Sequence, residues 1–309
     1  MNIKNKKIIV FGCQQIAVDC IDNIVKKGGQ IAAIVTYELP MDKVYGYASV
    51  YDIAKKYKIP IYEPEKINKQ FIAQVKRIKP DLILSIYYRK ILPKTLIEIP
   101  KLGCVNIHPS LLPYYRGPIP TVWALLNGES KIGVTIHYID EGIDTGPIID
   151  QKELIIKDSY TGFDLNNKIM REGYKLLMKN LKAILDNKVK ARKQDKNVGS
   201  YYGKFNNAAR LINWYKSSKD VYNQVRLFTK PYMGALASVL DKDLIIWQAR
   251  LVKKNSHPIV ASPGKILKVN KDGSFLVSTT NGCLKIIKYE IIKRDHNKNY
   301  YIKKGARLC

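Results

Sequence analysis

An amide and an imidazole stand two residues apart in the run Cys104-Val-Asn-Ile-His-Pro-Ser-Leu-Leu-Pro-Tyr-Tyr-Arg-Gly117. The apolar neighbours Val105 and Ile107 read as a strand, in which residues i and i+2 share a face, so Asn106 and His108 project to one side. Pro109 and the turn-forming residues after it stop the strand. An amide N–H can hold an oxygen on which negative charge develops, and an imidazole can carry a proton; the pair suits acyl transfer. By itself, Asn-x-His equally describes a strand end with two hydrogen-bonded polar residues. A third group lies downstream. Val134 to Ile139 reads as a buried strand, and the Gly- and Asp-rich loop beyond it carries Asp144, Thr145, Gly146 and Pro147. A loop Asp often caps a turn, but next to an imidazole it orients the ring and favours the imidazolium.

These separated stretches together resemble the 10-formyltetrahydrofolate-dependent formyltransferases. The shared signature is Asn-x-His-x-Ser-Leu-Leu-Pro, then Arg-Gly, then a loop Asp, and no position of it departs here. The resemblance implies a catalytic triad of Asn106, His108 and Asp144. A primary amine attacks the formyl carbon of 10-formyltetrahydrofolate, the co-substrate; Asn106 donates to the developing oxyanion, His108 handles a proton or supports the oxyanion, and Asp144 orients the ring. It also implies that the folate ring lies along Leu84, Ser85, Ile86, Tyr87, Tyr88, Arg89 and Ile91, with Ile139, Asp140 and Gly142 closing the other side. Ser110, Tyr115 and Arg116 belong to the matched run. Ser110 is expected to bond local backbone or the reacting groups, and Arg116 to meet a substrate phosphate or carboxylate or to pin its loop. His137 has no partner in the motif and is expected as a strand residue. His257 and His296 lack ligand spacing, and no metal is expected.

The formyl acceptor is read from the segment after the second strand. Members of the family acting on initiator methionyl-tRNA carry a basic insertion there. Residues 36–50 here hold one lysine against two acids, which is poor chemistry for a phosphate clamp. Ser85-Ile-Tyr-Tyr-Arg-Lys90, Ile59-Pro-Ile-Tyr-Glu-Pro64 and Trp123-Ala-Leu-Leu-Asn-Gly-Glu129 are similar to sugar-nucleotide formyltransferases of the aminoarabinose-modifying type. The expected acceptor is therefore a UDP- or dTDP-linked amino sugar, for cell-surface polysaccharide or lipopolysaccharide synthesis. Tyr45, Tyr47, Trp123 and Arg226 are candidates for stacking on its base or holding its pyrophosphate. The alternatives are methionyl-tRNA formylation and a non-catalytic nucleic-acid-binding barrel protein. Glycinamide-ribonucleotide enzymes share the phrase around His108 but usually lack a trailing barrel.

The composition is that of a globular enzyme, with 46% hydrophobic and 26% charged residues in 309. Net charge is +27, and residues 201–309 hold 21 basic against 6 acidic side chains. The lysines are dispersed without a basic block, so charge by itself does not assign a nucleic-acid partner. Five scattered cysteines suggest neither a disulfide framework nor a zinc site. No apolar run approaches the roughly 20 residues that span a bilayer, and Ile8 to Phe11 is too short for a signal peptide; a cytoplasmic protein without a membrane partner is expected.

To position these groups the chain offers strand–helix alternation. Strands are expected at Lys7–Gly12, Gln30–Thr36, Ile59–Tyr62 and Asp81–Ile86, and helices at Ala17–Lys27, Ser49–Tyr57, Lys69–Lys79 and Lys94–Ile99. This predicts an α/β, doubly wound, Rossmann-like and mostly parallel sheet, whose ligands bind beyond the strands' carboxyl ends. The first turn, Gly12-Cys-Gln-Gln15, lacks Gly-x-Gly-x-x-Gly, which disfavours a nicotinamide-dependent dehydrogenase. A long helix at Tyr160–Leu185, a polar linker, a helix at Tyr222–Thr229 and short strands between turns at Asp241, Ser262-Pro-Gly, Lys271-Asp-Gly and Asn281-Gly predict a small OB-like β-barrel. The expected division is a catalytic domain at 1–190, a linker at 191–204 and the barrel domain at 205–309. A homodimer is expected from the resemblance.

Overall fold

Two stretches of continuous aliphatic sequence set the centre of the first sheet. In β1 (Lys7–Gly12) every residue after Lys7 is buried. The later strand Leu82–Ile86 is buried throughout, as parallel strands covered on both faces must be. The computed structural model describes residues 5–37, 39–195, 197–239, 242–252, 261–292 and 302–309. The expected turn at Asp241, and His257 and His296, lie outside the described residues.

The chain divides into two compact units, one of residues 1–120, 131–155 and 167–203, the other of 121–130, 156–166 and 204–309. In chain order the elements are β1, α1 (Gln14–Lys26), β2 (Gln30–Val35), α2 (Pro40–Tyr45), α3 (Val50–Tyr57), β3 (Ile61–Tyr62), α4 (Lys69–Ile78), β4 (Leu82–Ile86), α5 (Lys94–Ile97), β5 (Cys104–His108), α6 (Pro120–Leu126), β6 (Lys131–Tyr138), β7 (Ile148–Ile155) and α7 (Gly162–Leu185). The first unit holds a seven-stranded sheet of order β3-β2-β1-β4-β5-β6-β7. The five strands from β3 to β5 are parallel, and β6 pairs antiparallel with both β5 and β7. The mostly parallel α/β sheet expected from the alternation is present.

Helix starts depend on caps that apolar periodicity does not report. Ser49 caps α3 and Asn68 caps α4 by accepting backbone N–H groups, each worth about 1 kcal/mol. α1 starts at Gln14, three residues before the expected Ala17, because the chain turns directly out of β1: Cys13 N donates to Ile86 O at 3.1 Å. The short α2 carries Pro at its first position, where a missing N–H costs nothing.

Residues 191–204, expected as a linker, are bonded to the first unit at several points. Arg192 exchanges backbone hydrogen bonds with Ile148, and Ser200 and Tyr202 pair with Pro113 and Arg116. The polar composition that suggests a solvated tether here serves to satisfy loop backbone groups.

The second unit is built on α8 (Ser218–Phe228), capped by Ser217, and on β8 (Ala235–Val239), β9 (Lys242–Leu251), β10 (Ile266–Val269), β11 (Phe275–Thr279) and β12 (Gly282–Ile292). The five strands form an antiparallel sheet of order β10-β11-β12-β9-β8. Its two outer strands are joined by the chain's last residues: Leu308 bridges Val239, and Arg307 bridges Lys265 just before β10. Each edge thus finds a backbone partner among the described residues.

Candidate active site

β5 lies where the parallel run meets the antiparallel pair, so its end is flanked by two different kinds of neighbour. Asn106 is opposite Ser85 of β4 and His137 of β6, and His108 is opposite Thr135. The period of two that places Asn106 and His108 on one face also places Thr135 and His137 on one face of β6. Asn106 is half-buried, while His108 and His137 are 4% and 1% exposed.

His137 is a site residue that the sequence reading leaves as a strand residue. Its Nδ1 is 2.8 Å from Tyr138 O, an acceptor, which fixes the proton on Nδ1 of the neutral ring. Nε2 then accepts from Asn106 Nδ2 at 3.1 Å. The amide orientation follows from this network. One amide N–H of Asn106 is committed to His137, and the other remains to meet an oxyanion. The available signal was the register, because a His two residues after Thr135 on the adjoining strand must face Asn106.

The His108 ring lies between two oxygen acceptors. Nδ1 is 3.5 Å from Asp144 Oδ2, and Nε2 is 2.8 Å from Tyr115 O. Burial pushes the imidazole below its ordinary pKa, with His137 adding to that, while Asp144 and Tyr115 O pull upward. The ring is therefore a neutral base at rest, and both of its N–H groups find acceptors once it gains a proton. Burial by itself would raise the Asp144 carboxyl, but His108, His137 and the Gly117 N–H outweigh it and hold Asp144 well below the usual carboxylate range. Asp144 Oδ2 accepts from Gly117 N at 2.9 Å, and Oδ1 lies 3.7 Å from His137 Nε2.

Two loops hold this arrangement. In the first, Ser110 Oγ donates to Tyr114 O and Thr135 Oγ1 donates to Ser110 O, both at 2.7 Å. Thr135 Oγ1 in turn accepts from Leu112 N and from Gln151 Nε2. In the second, Asp140 Oδ1 accepts from Gly142 N and Thr145 Oγ1. Gly146 passes so close to β6 that a Cβ there would sit 1.8 Å from Tyr138 O. Gly146→Ala is expected to cost about 1–3 kcal/mol, read as a lower urea midpoint. It is also expected to slow turnover about 10-fold or more in the folded fraction, because relieving the clash shifts the loop that carries Asp144.

The other candidates fall as follows. Leu84, Ser85 and Ile86 are buried in β4. Tyr87 (φ 58°), Tyr88, Arg89 and Ile91 form the loop beyond it, with Ile91 left 77% exposed. Tyr88 packs edge-on against Phe11 at 5.3 Å, and burial pushes its phenol up to about 12. Ile139 is partly buried against the core, Asp140 and Gly142 are exposed, and an ion pair of 2.6 Å joins Lys94 of α5 to Glu141 in this second loop. Tyr115 stacks on Tyr202 at 4.8 Å with planes 7° apart. Arg116 gives Nε and Nη2 to Gln194 Oε1. Tyr45 meets Tyr47 edge-on, and Tyr47 OH donates to Asn167. Trp123 and Arg226 belong to the second unit. Arg226 is 7% exposed and gives its donors to Asn223 Oδ1 and to the carbonyls of Lys157, Asp158 and Tyr160. Among the described residues no group of three or more His, Cys, Asp or Glu is arranged to hold a metal, and no helix is long and apolar enough to cross a membrane.

An amide N–H free for an oxyanion beside a neutral, carboxylate-backed imidazole is equipment for acyl transfer to an amine. Residues 6–181 match the family Formyl transferase, and residues 204–304 match Formyl transferase, C-terminal domain. The chain belongs to the formyl transferase family. This formyltransferase is 36% identical over 284 residues to a methionyl-tRNA formyltransferase from Clostridioides difficile, covering 91% of the chain and 90% of the relative. It is 34% identical over 310 residues to the bifunctional polymyxin resistance protein ArnA of Wigglesworthia glossinidia brevipalpis, covering 98% of the chain but spanning only 46% of that longer protein. Among solved structures, the sugar 3N-formyl transferase WlaRD, determined with dTDP and 5-N-formyl-THF, aligns with a TM-score of 0.69 at 26% identity over 91% of this chain and 96% of its own. The N-formyltransferase from Helicobacter canadensis, in complex with folinic acid and dTDP-3-aminofucose, aligns at 0.70 and 25% identity over 92% of this chain and 100% of its own. The formyltransferase is an N-formyl-transferring enzyme.

Proposed function

We propose that this formyltransferase moves the formyl group of 10-formyltetrahydrofolate to the primary amine of a nucleotide-linked amino sugar, carried on dTDP or UDP. The observation that carries the reading is the segment after β2. Lys43 is the lone cation in residues 36–50, and the short helix there turns the carboxylate of Asp42 inward, where burial raises it and Arg89 offsets part of that rise. A surface of that kind has little to offer the phosphates of an RNA stem. The complexes with dTDP and with dTDP-3-aminofucose among its structural relatives support the same acceptor, and in this reading the product serves cell-surface polysaccharide or lipopolysaccharide synthesis.

In this reading the amine attacks the formyl carbon, and negative charge grows on the formyl oxygen. Asn106 donates its uncommitted N–H there, a contribution of about 10²–10³ in rate. The amine proton reaches His108 through a water at Nδ1, the nitrogen left unprotonated while Nε2 donates to Tyr115 O, and Asp144 stabilises the resulting imidazolium. The folate ring lies between residues 84–91 and 139–142, where the exposed Ile91 and Ile143 supply apolar contact. Arg116 has two guanidinium nitrogens on Gln194, and its Nη1 makes no further bond among the described residues. In this reading that edge meets substrate phosphate.

The second reading, methionyl-tRNA formylation, is favoured by the 36% identity to the clostridial enzyme and by the basic excess in residues 201–309. A panel of UDP- and dTDP-amino sugars and methionyl-tRNA, each incubated with 10-formyltetrahydrofolate and scored for a one-formyl mass gain, decides between them. Formylation of an amino-sugar nucleotide is the expected result. Mass gain on the tRNA-linked amine only, with affinity falling steeply with salt, would replace it.

A further inference from the structure

The side chain of Gln194 connects the two loops that carry the triad. Its Nε2 donates to Asp144 O at 2.8 Å and to Gly146 O at 2.7 Å, while Oε1 accepts from Arg116 Nε at 3.3 Å and Nη2 at 2.9 Å. One amide thus uses both of its ends, the donors on the loop of Asp144 and the acceptor on the loop that follows His108.

The backbone on each side of Gln194 is tied down. Before it, Arg192 N and O exchange bonds with Ile148 at 2.8 and 2.7 Å. After it, Ser200 O accepts from Arg116 N at 2.9 Å, Ser200 Oγ accepts from Tyr115 N at 2.9 Å, and Tyr202 N donates to Arg116 O at 2.9 Å. The loop it braces includes Tyr115, whose carbonyl faces His108, and Gly117, whose N–H holds Asp144. Gly117 takes φ 94°, and a Cβ there would sit 2.3 Å from Tyr202 O, so this loop and the 192–202 segment are in direct backbone contact. Asp144 itself has φ 55°, a left-handed conformation that non-glycine residues hold only when their surroundings impose it.

We propose that Gln194 is a positioning residue for formyl transfer: its carboxamide fixes the left-handed Asp144 backbone against the loop of Tyr115, Arg116 and Gly117, so that carboxylate, imidazole and guanidinium keep one geometry. The proposal rests on the family's formyl transfer and not on which amine accepts the group. It differs from a merely stabilising role because the donors and the acceptor act on different loops and can be removed separately.

Gln194→Glu keeps an acceptor for Arg116 but has no N–H for the Asp144 and Gly146 carbonyls. Gln194→Ala removes both ends. Steady-state kinetics with 10-formyltetrahydrofolate and the acceptor that gains mass in the panel, alongside thermal melts, test the idea. For Gln194→Glu we expect kcat about 10- to 100-fold lower, the loss typical of a catalytic group displaced by about 1 Å, with the acceptor KM within about threefold. Gln194→Ala should show a similar fall in kcat and also a raised acceptor KM as Arg116 loses its anchor. Rates are referred to the folded fraction, and if the alanine variant fails to fold, the near-isosteric Gln194→Glu carries the test. A Gln194→Glu enzyme with kcat within twofold of the parent, or a rate loss in either variant that disappears once corrected for unfolded protein, would overturn the proposal. A panel in which no amine gains mass would count against the acceptor reading, whereas the Gln194 outcomes are read on whichever amine does.

Discussion

Asp144→Asn is expected to lower kcat by about 10³-fold while leaving a folded protein. The substitution is close to isosteric, and one amide orientation keeps the local structure, with Oδ1 accepting from Gly117 N and Nδ2 turned toward His137. The lost feature is the negative charge 3.5 Å from His108 Nδ1. That charge pulls the His108 pKa upward against burial, so its removal lowers the imidazole's basicity further and withdraws the stabilisation of the imidazolium formed during transfer. The sign of the pH effect follows. In the proposed mechanism His108 acts as a neutral base, so the acid limb of kcat/KM is expected below the ordinary imidazole value of about 6.5. In Asp144→Asn the limb moves to still lower pH while the plateau falls. A folded His pKa below the unfolded one also means that the unfolded chain takes up the proton first, so stability is full above about 6.5 and declines as pH falls below it. The variant should lose more stability than the parent between pH 6.5 and 5. A pH–rate profile and melts across that window check both points; an unchanged plateau in Asp144→Asn would remove Asp144 from the mechanism.

The legibility of this site from sequence varied with the range of each contact. Asn106 and His108 could be paired because strand period is a local property, and Asp144 could be joined to them through a family signature. His137 required the register of β5 against β6, which is set by the turn after His108 and by Thr135 holding the 110–112 backbone. Gln194 and Ser200 lie 50 and 85 residues from their partners Asp144 and Tyr115. Nothing in a polar stretch rich in Lys, Gln and Asn distinguishes side chains that satisfy distant carbonyls from side chains in water. The basic residues show the converse difficulty. Arg226 reads from sequence as a free cation for a pyrophosphate, whereas burial commits four of its contacts to one side-chain oxygen and three carbonyls of its own unit. The sheet was legible because β1 and β4 are nearly all aliphatic. The antiparallel edge of β6 and β7 was not, since an apolar run such as Val134 to Ile139 carries no sign of its direction.

Asn106→Ala should separate transition-state stabilisation from binding. The uncommitted N–H of Asn106 has no ground-state partner among the described residues, and a neutral formyl oxygen is a weaker acceptor than the oxyanion it becomes. The interaction therefore grows along the reaction coordinate and is expressed in kcat and not in KM. The expected loss is about 10²–10³ in kcat with both KM values nearly unchanged. Stability should fall by about 1–3 kcal/mol, because the substitution leaves Nε2 of the buried His137 ring without its donor. Asn106→Asp is a sharper case: a carboxylate at this position meets the growing oxyanion with like charge, and it offers no N–H to His137 Nε2. Its kcat should fall below that of Asn106→Ala, although it is the closer match in shape. Steady-state kinetics of the two variants under one set of conditions decide the point. If aspartate proved the more active of the two, shape and not hydrogen-bond donation would be the contribution of Asn106, and the oxyanion would have to find its donor elsewhere.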